Sequence, residues 1–351
     1  MMLRRFKTGF WGAFAASAAG LLVPAVMWAR LVTPELPPKP AFPVPGREFV
    51  AEYGGQAAYI AHIAYWWGLF GIGTRLRDAD VLLLGSSHVQ LGLSARQMSD
   101  ALSQASGRPV RVFNAGLGCD TPLAYDAALL DHLGLRDRVV VVDAFANDYD
   151  PYNAPCFAEL AGITDRVHAG FKALAVWSRF DWDWLLDGIL PRIDLRDGRI
   201  AADRYLNAPA TILDWNDGDA VELFHPARGE EFPHPVSAPL DLASQQPPRR
   251  LAAGTMPLPA PFMPAMTRGL RPVFTLIPFS LTPPFDRTRY ENVADLLAAS
   301  GSPRAPFVAL APDGLASFDG EHLTGESRAA ATARLAAALA EANLLQAVSP
   351  P

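Results

Sequence analysis

Four polar clusters stand at the ends of apolar runs in this chain, and their residue types are those of nucleophilic acyl chemistry. Ser86 and Ser87 follow the run Val81–Leu84 through a glycine, and Asn114-Ala115-Gly116 closes a second run. Asn147 and Asp148 lie just past a third run, and Asp319 and His322 stand three residues apart near the C-terminus. A serine hydroxyl is a weak nucleophile until a base removes its proton, and imidazole titrates near neutral pH. A carboxylate on the far ring nitrogen fixes the tautomer and stabilises the imidazolium. Attack on an acyl carbonyl then leaves an oxyanion for amide donors to hold, and losing one such donor costs on the order of 100- to 1000-fold in rate. Each cluster also has an ordinary reading: the serines as a helix cap, Asn147 and Asp148 as an Asx turn, Asp319 as the cap of the last helix, His322 as a surface histidine. Joint placement is what favours chemistry. His88, next to Ser87, reads as a neighbour of the reacting groups or as a substrate-facing residue, outside the relay itself.

The elements that must position these groups are legible as five apolar runs: Val81–Gly85, Val110–Gly116, Arg138–Phe145, Arg271–Phe279 and Ala305–Pro312. They are continuous, not alternating, as strands covered on both faces are. Helix-forming stretches lie between several of them, one starting after a Ser94 cap and one after Thr121 with Pro122 at its first position. Strand–helix–strand repetition predicts an α/β fold, a parallel sheet between two helical layers. The polar clusters then fall at the C-terminal edge of the strands, where such sheets bind ligands. Between the third and fourth runs, residues 150–269 form a long insertion. It holds a Trp-bearing helical stretch, Val176–Leu190, and ends in a Pro-rich stretch read as loop, Phe232–Pro264. Insertions of this size at an active edge shape substrate sites.

In their order along the chain, the clusters resemble the SGNH/GDSL hydrolase superfamily over roughly residues 79–345, with the insertion interrupting it. "GSS" stands for the family's Gly-Asp-Ser, "NAG" for its second block, "FAND" for its Gly-x-Asn-Asp block and "DGEH" for its Asp-x-x-His block. The resemblance implies a three-layer, flavodoxin-like sheet. It also implies Ser87 as nucleophile, with Asp319 and His322 completing a triad. The N–H groups of Ser87 and Gly116 and the side chain of Asn147 would form the oxyanion hole. Ser86, Asn114 and Asp148 would stand beside the reacting groups. Ser86 replaces the family's aspartate, as in envelope-associated branches, and Phe145 replaces a glycine; neither change removes a chemically necessary group. The implied activity is that of a serine esterase or O-acyltransferase with an acylated glycan, O-acetylated by analogy, or another small ester as substrate. The alternative is a non-catalytic member that binds glycan or a partner protein, with the rings of Val176–Leu190 facing sugars.

Cys119 and Cys156 each follow the end of a neighbouring strand and read either as a disulfide fixing the oxyanion-side loops or as two unrelated thiols. No His/Cys spacing suits a metal, and neither a metal nor a cofactor is expected. The net charge of −6 over 351 residues offers no basic footprint for nucleic acid. Arg4, Arg5 and Lys7 precede an uncharged run from Thr8 to Ala29, about the ~20 residues a helix needs to cross a bilayer. With Trp11 and Trp28 near its ends, residues 1–32 read as an uncleaved anchor, N-terminus cytoplasmic, the remainder periplasmic or otherwise extracytoplasmic. Residues 33–78 follow as a proline-rich spacer, Thr33–Gly46, and an apolar helix within Ala51–Gly73, docked on the domain or lying at the membrane surface.

Overall fold

The computed structural model describes residues 48–53, 60–117, 121, 123–144, 163–175, 210–223, 239–245, 251–281 and 287–343, with isolated positions 17 and 20. Apart from those two positions, the candidate anchor lies outside the described residues, as do Asn147, Asp148, Cys119, Cys156 and Val176–Leu190.

The strands are β1 (Glu48–Tyr53), β2 (Val81–Leu84), β3 (Val112–Asn114), β4 (Val139–Asp143), β5 (Ala210–Asp214), β6 (Ala220–Leu223), β7 (Leu240–Asp241), β8 (Gly254–Pro257), β9 (Arg271–Leu276), β10 (Arg304–Ala309) and β11 (Ala316–Ser317). The main helices are α1 (Ile60–Trp67), α2 (Ile72–Asp78), α3 (Ser87–Gly92), α4 (Ala95–Ser106), α5 (Leu123–His132), α6 (Arg287–Ala298) and α7 (Gly325–Glu341). Six strands form the central sheet in the order β3-β2-β4-β9-β10-β8. The first five are parallel and β8 runs antiparallel to β10. Numbered along the chain, the parallel strands follow the 2-1-3-4-5 order of a doubly wound sheet, whose switch point lies beside β2.

The continuous apolar runs are explained by two cores. Leu82, Leu84, Val140, Val142 and Phe274 face one side, packing with Ile72 and Leu76 of α2, Leu129 and Leu130 of α5, and Val293 of α6. Val81, Leu83, Val139, Val141 and Val273 face the other, against Met98 and Leu102 of α4 and Leu335 and Leu339 of α7. Successive side chains of a strand point to opposite faces, so a strand covered twice has no polar side. Helix α1 lies within the stretch expected to dock on the domain or to lie at the membrane surface; Ile63, Ala64 and Tyr65 are buried, and Tyr65 meets Phe113 edge-on at 5.8 Å. Among the described residues no helix is long and apolar enough to cross a membrane.

The stretch between β4 and β9 departs from expectation. Part of the supposed Pro-rich loop is β8, an edge strand that buries Met256 alone among its four residues and ends on Pro257. Edge strands tolerate proline because they need pair on one side only. Nearby, β7 pairs with β11. The β5–β6 hairpin, itself paired to β1, reaches across the opposite edge, where Asp217 O accepts the Asn114 N–H at 2.7 Å. Chain from this stretch therefore braces both ends of the active rim.

Candidate active site

Ser87 is presented by a turn too tight for anything but glycine at its first position. Gly85 has φ 144°, and a Cβ there would stand 2.7 Å from Val89 Cγ2 and 2.9 Å from Asp143 Cβ. Ser86 is then the N-cap of α3, its hydroxyl accepting the His88 N–H at 3.3 Å. The cap reading of the serine pair belongs to Ser86, and Ser87 opens the helix.

The short helix α3 is clamped from below by Asn114, which is fully buried. Its Nδ2 donates to the carbonyls of Val89 at 3.1 Å and Leu93 at 3.0 Å, adding a second donor to each beside the Leu93 N–H and Arg328. Its Oδ1 accepts the Gly116 N–H at 3.0 Å. A Cβ on Gly116 would meet Gln90 N at 2.5 Å, so only glycine lets the β3 loop approach the helix this closely. The Gly116 amide thus departs from its expected role. It is engaged within its own turn, and contact with an oxyanion requires that bond to be shared or released.

His322 sits in a loop closed upon itself. Ser317 bridges to Leu323, and the Phe318 N–H donates to His322 O at 3.1 Å. Asp319 Oδ1 accepts the backbone N–H groups of Glu321 at 2.9 Å and His322 at 2.8 Å. Its Oδ2 faces His322 Nδ1 at 2.6 Å, and His322 Nε2 lies 2.9 Å from Ser87 Oγ. Asp319 does not cap the last helix; Thr324 does, accepting the Ser327 N–H. Phe318 stacks on the His322 ring at 5.7 Å, and the His88 ring meets it edge-on at 5.9 Å. The imidazole is therefore held between two rings, with each nitrogen facing one oxygen.

Burial alone would raise the Asp319 carboxyl, but its hydrogen bonds to the His322 side chain and to two backbone amides hold it below the usual carboxylate range. His88 is brought down to about 3, first by burial and then by the charges of His322 and Arg289, so it stays neutral beside the triad.

The two halves of the site come from distant parts of the chain and are tied together behind the reacting groups. Arg328, in the first turns of α7, donates to Leu93 O at the end of α3 and to Ala220 O, and pairs with Asp219 at 3.2 Å. Asp219 accepts the Ser94 hydroxyl at 2.7 Å and the Arg96 N–H at 3.2 Å at the start of α4. The Ser94 N–H donates to Thr332 Oγ1 at 3.0 Å. Residue patterns gave no sign of Arg328 or Asp219, because each acts through partners more than a hundred residues away.

The structure brings Ser87, His322 and Asp319 into one line, places Ser86 and His88 beside them, and sets Asn114 under α3, away from direct contact with the three. Comparison with protein-family models, with curated proteins and with solved structures returns no match. What the arrangement can do follows from its distances. A hydroxyl within hydrogen-bond reach of an imidazole that a carboxylate orients is the geometry of an activated oxygen nucleophile.

Proposed function

We propose that this chain is a serine esterase or O-acyltransferase of the SGNH type, working through an acyl-serine intermediate. The observation that carries the reading is the 2.9 Å approach of His322 Nε2 to Ser87 Oγ while Nδ1 faces Asp319 at 2.6 Å. In this mechanism the Ser87 proton passes to His322 Nε2 as Oγ bonds to the acyl carbon. The tetrahedral oxyanion collapses, the ester C–O bond breaks, and His322 returns the proton to the leaving alkoxide. Water or an acceptor hydroxyl then gives its proton to His322 and bonds to the acyl carbon, and His322 returns that proton to Ser87 Oγ as the acyl C–Oγ bond breaks. Asp319, kept ionised, stabilises the imidazolium in both halves.

An ester on a cell-envelope glycan is the substrate class supported by analogy with envelope-associated branches of the family. The basic flank and uncharged run Thr8–Ala29 support a single-pass anchor with the catalytic domain outside the cytoplasm. Ser87 should label with a fluorophosphonate probe, and Ser87→Ala should abolish labelling without loss of folded protein. Well-folded protein that takes no label would instead favour the glycan- or partner-binding reading. Release of p-nitrophenol from its acetate ester, with and without a sugar acceptor, separates hydrolysis from transfer.

A further inference from the structure

We infer that the acyl group carried to Ser87 is an aliphatic chain longer than acetyl, seated in a cavity at the C-terminal ends of β9 and β10. This rests on the acyl-serine reading and departs from the O-acetyl group expected by analogy. The cavity encloses about 850 Å³, within the size range of small-molecule sites. Its walls are Leu242, Leu276, Phe279, Leu281, Tyr290 and Leu310, with Ala309 at the end of β10 between them. Asp313 supplies the one charged side chain of the described lining and is solvent-exposed. Gln245 is tied into the wall itself, its Oε1 accepting the Ser280 hydroxyl at 3.1 Å and the Leu281 N–H at 2.6 Å. A sugar ring would have to pair its hydroxyls against this surface; a hydrocarbon chain would not.

The cavity and the triad share a wall. Phe279 lines the cavity and its ring stands 5.7 Å from that of His88, which meets His322 at 5.9 Å. One residue on, the Ser280 N–H donates to Gly320 O at 2.7 Å, inside the loop that carries Asp319 and His322. An acyl chain on Ser87 would run past Phe279 into this space, whose surface is more carbon than polar, while the alcohol part leaves toward solvent. Neutral His88 suits this path, since a charged imidazole beside the entry would oppose desolvation of the chain.

Two measurements on the full chain test this. In the first, kcat/KM is compared across p-nitrophenyl acetate, butyrate, hexanoate and octanoate. Burial of each methylene should raise it by roughly threefold to fourfold until the cavity is filled. Ala309→Phe, which occupies the space, should lower the octanoate-to-acetate ratio by at least tenfold. Leu281→Gln, which makes one wall polar, should lower it less. In the second, octanoate is titrated calorimetrically into Ser87→Ala protein, with the Ser87→Ala/Ala309→Phe double variant correcting for non-specific partition. Saturable binding that Ala309→Phe weakens upholds the cavity even should the fluorophosphonate test fail, in which case the hydrolase reading alone falls. A flat ester series, or absence of octanoate binding, overturns the inference while leaving a labelled Ser87 intact. A preference for octanoate untouched by both variants overturns it too, because the chain would then lie elsewhere.

Discussion

Asp319 shows how much of this site depends on a single oxygen atom. Oδ1 is committed to two backbone N–H groups of its own loop, so Oδ2 has one direction left, toward His322 Nδ1. Asp319→Asn preserves the shape but presents either a donor or a neutral acceptor to that nitrogen, undoing the tautomer the mechanism needs. In the proposed enzyme kcat should fall on the order of 10³- to 10⁴-fold with little change in KM, measured on p-nitrophenyl esters. The carboxyl's lowered pKa also has a stability consequence. Its contribution is complete above the ordinary carboxylate value of ~3.9 and is lost only as pH falls through the lower folded value. The Asp319–His322 contact therefore does not weaken through Asp319 protonation between pH 7 and 5. At this scale the sequence is readable where function concentrates chemistry: Ser87, Asp319 and His322 are recognisable by type, order and spacing. Asn114 is less so. An asparagine at a strand end fits an oxyanion neighbour, a turn or a clamp equally well, and only its buried contacts with α3 select the last.

Among the elements, α3 has least stability of its own. It has six residues, too few to persist alone, and Ser87, the proposed nucleophile, is its first. Its N-terminus is held by Ser86, its C-terminal carbonyls by Asn114 and Arg328. Asn114→Ala would leave the buried Gly116 N–H without the Oδ1 it donates to, at a cost of about 1–3 kcal/mol where water cannot replace it, and would take one of two donors from Val89 O and Leu93 O. We expect a lower melting temperature and a fall in kcat exceeding the change in KM, because α3 loses its register against His322 before the sheet unfolds. Thermal denaturation beside steady-state kinetics checks both. The apolar runs that became β2, β3, β4, β9 and β10 were readable because double coverage leaves them few polar positions, most of them at or near strand ends. Strand β8 was not, since Gly254-Thr255-Met256-Pro257 carries one buried side chain and is held through its backbone and the Arg304 side chain on Thr255, properties composition does not encode.

At the scale of the whole molecule, burial of neutral histidines makes the fold acid-sensitive. His62 in α1, like His88, is brought down to about 3 by burial. An unfolded histidine takes up its proton near ~6.5, so from there down to about 3 the unfolded state holds more protons and stability falls with pH. Each residue adds a slope of at most ~1.4 kcal/mol per pH unit in that window. His62→Leu should remove about one proton from the difference, seen as a shallower decline in denaturation free energy between pH 6 and 4. The layer arrangement followed from the sequence, but the 2-1-3-4-5 order did not, because strand neighbours are chosen by crossover geometry and not by the content of each run. The tie between Arg328 and Asp219 was hidden for the same reason.

The β5–β6 hairpin carries a practical consequence. Strand β3 has only three residues and would form the naked rim of the sheet, yet Asp217 sits against its last amide. At Gly218 a side chain would collide with Asn114 O. Trimming the chain to the catalytic segments alone would therefore yield no minimal enzyme. It would uncover a sticky border next to the nucleophile and cut the strut joining α4 to α7, so solubility and activity would be lost together.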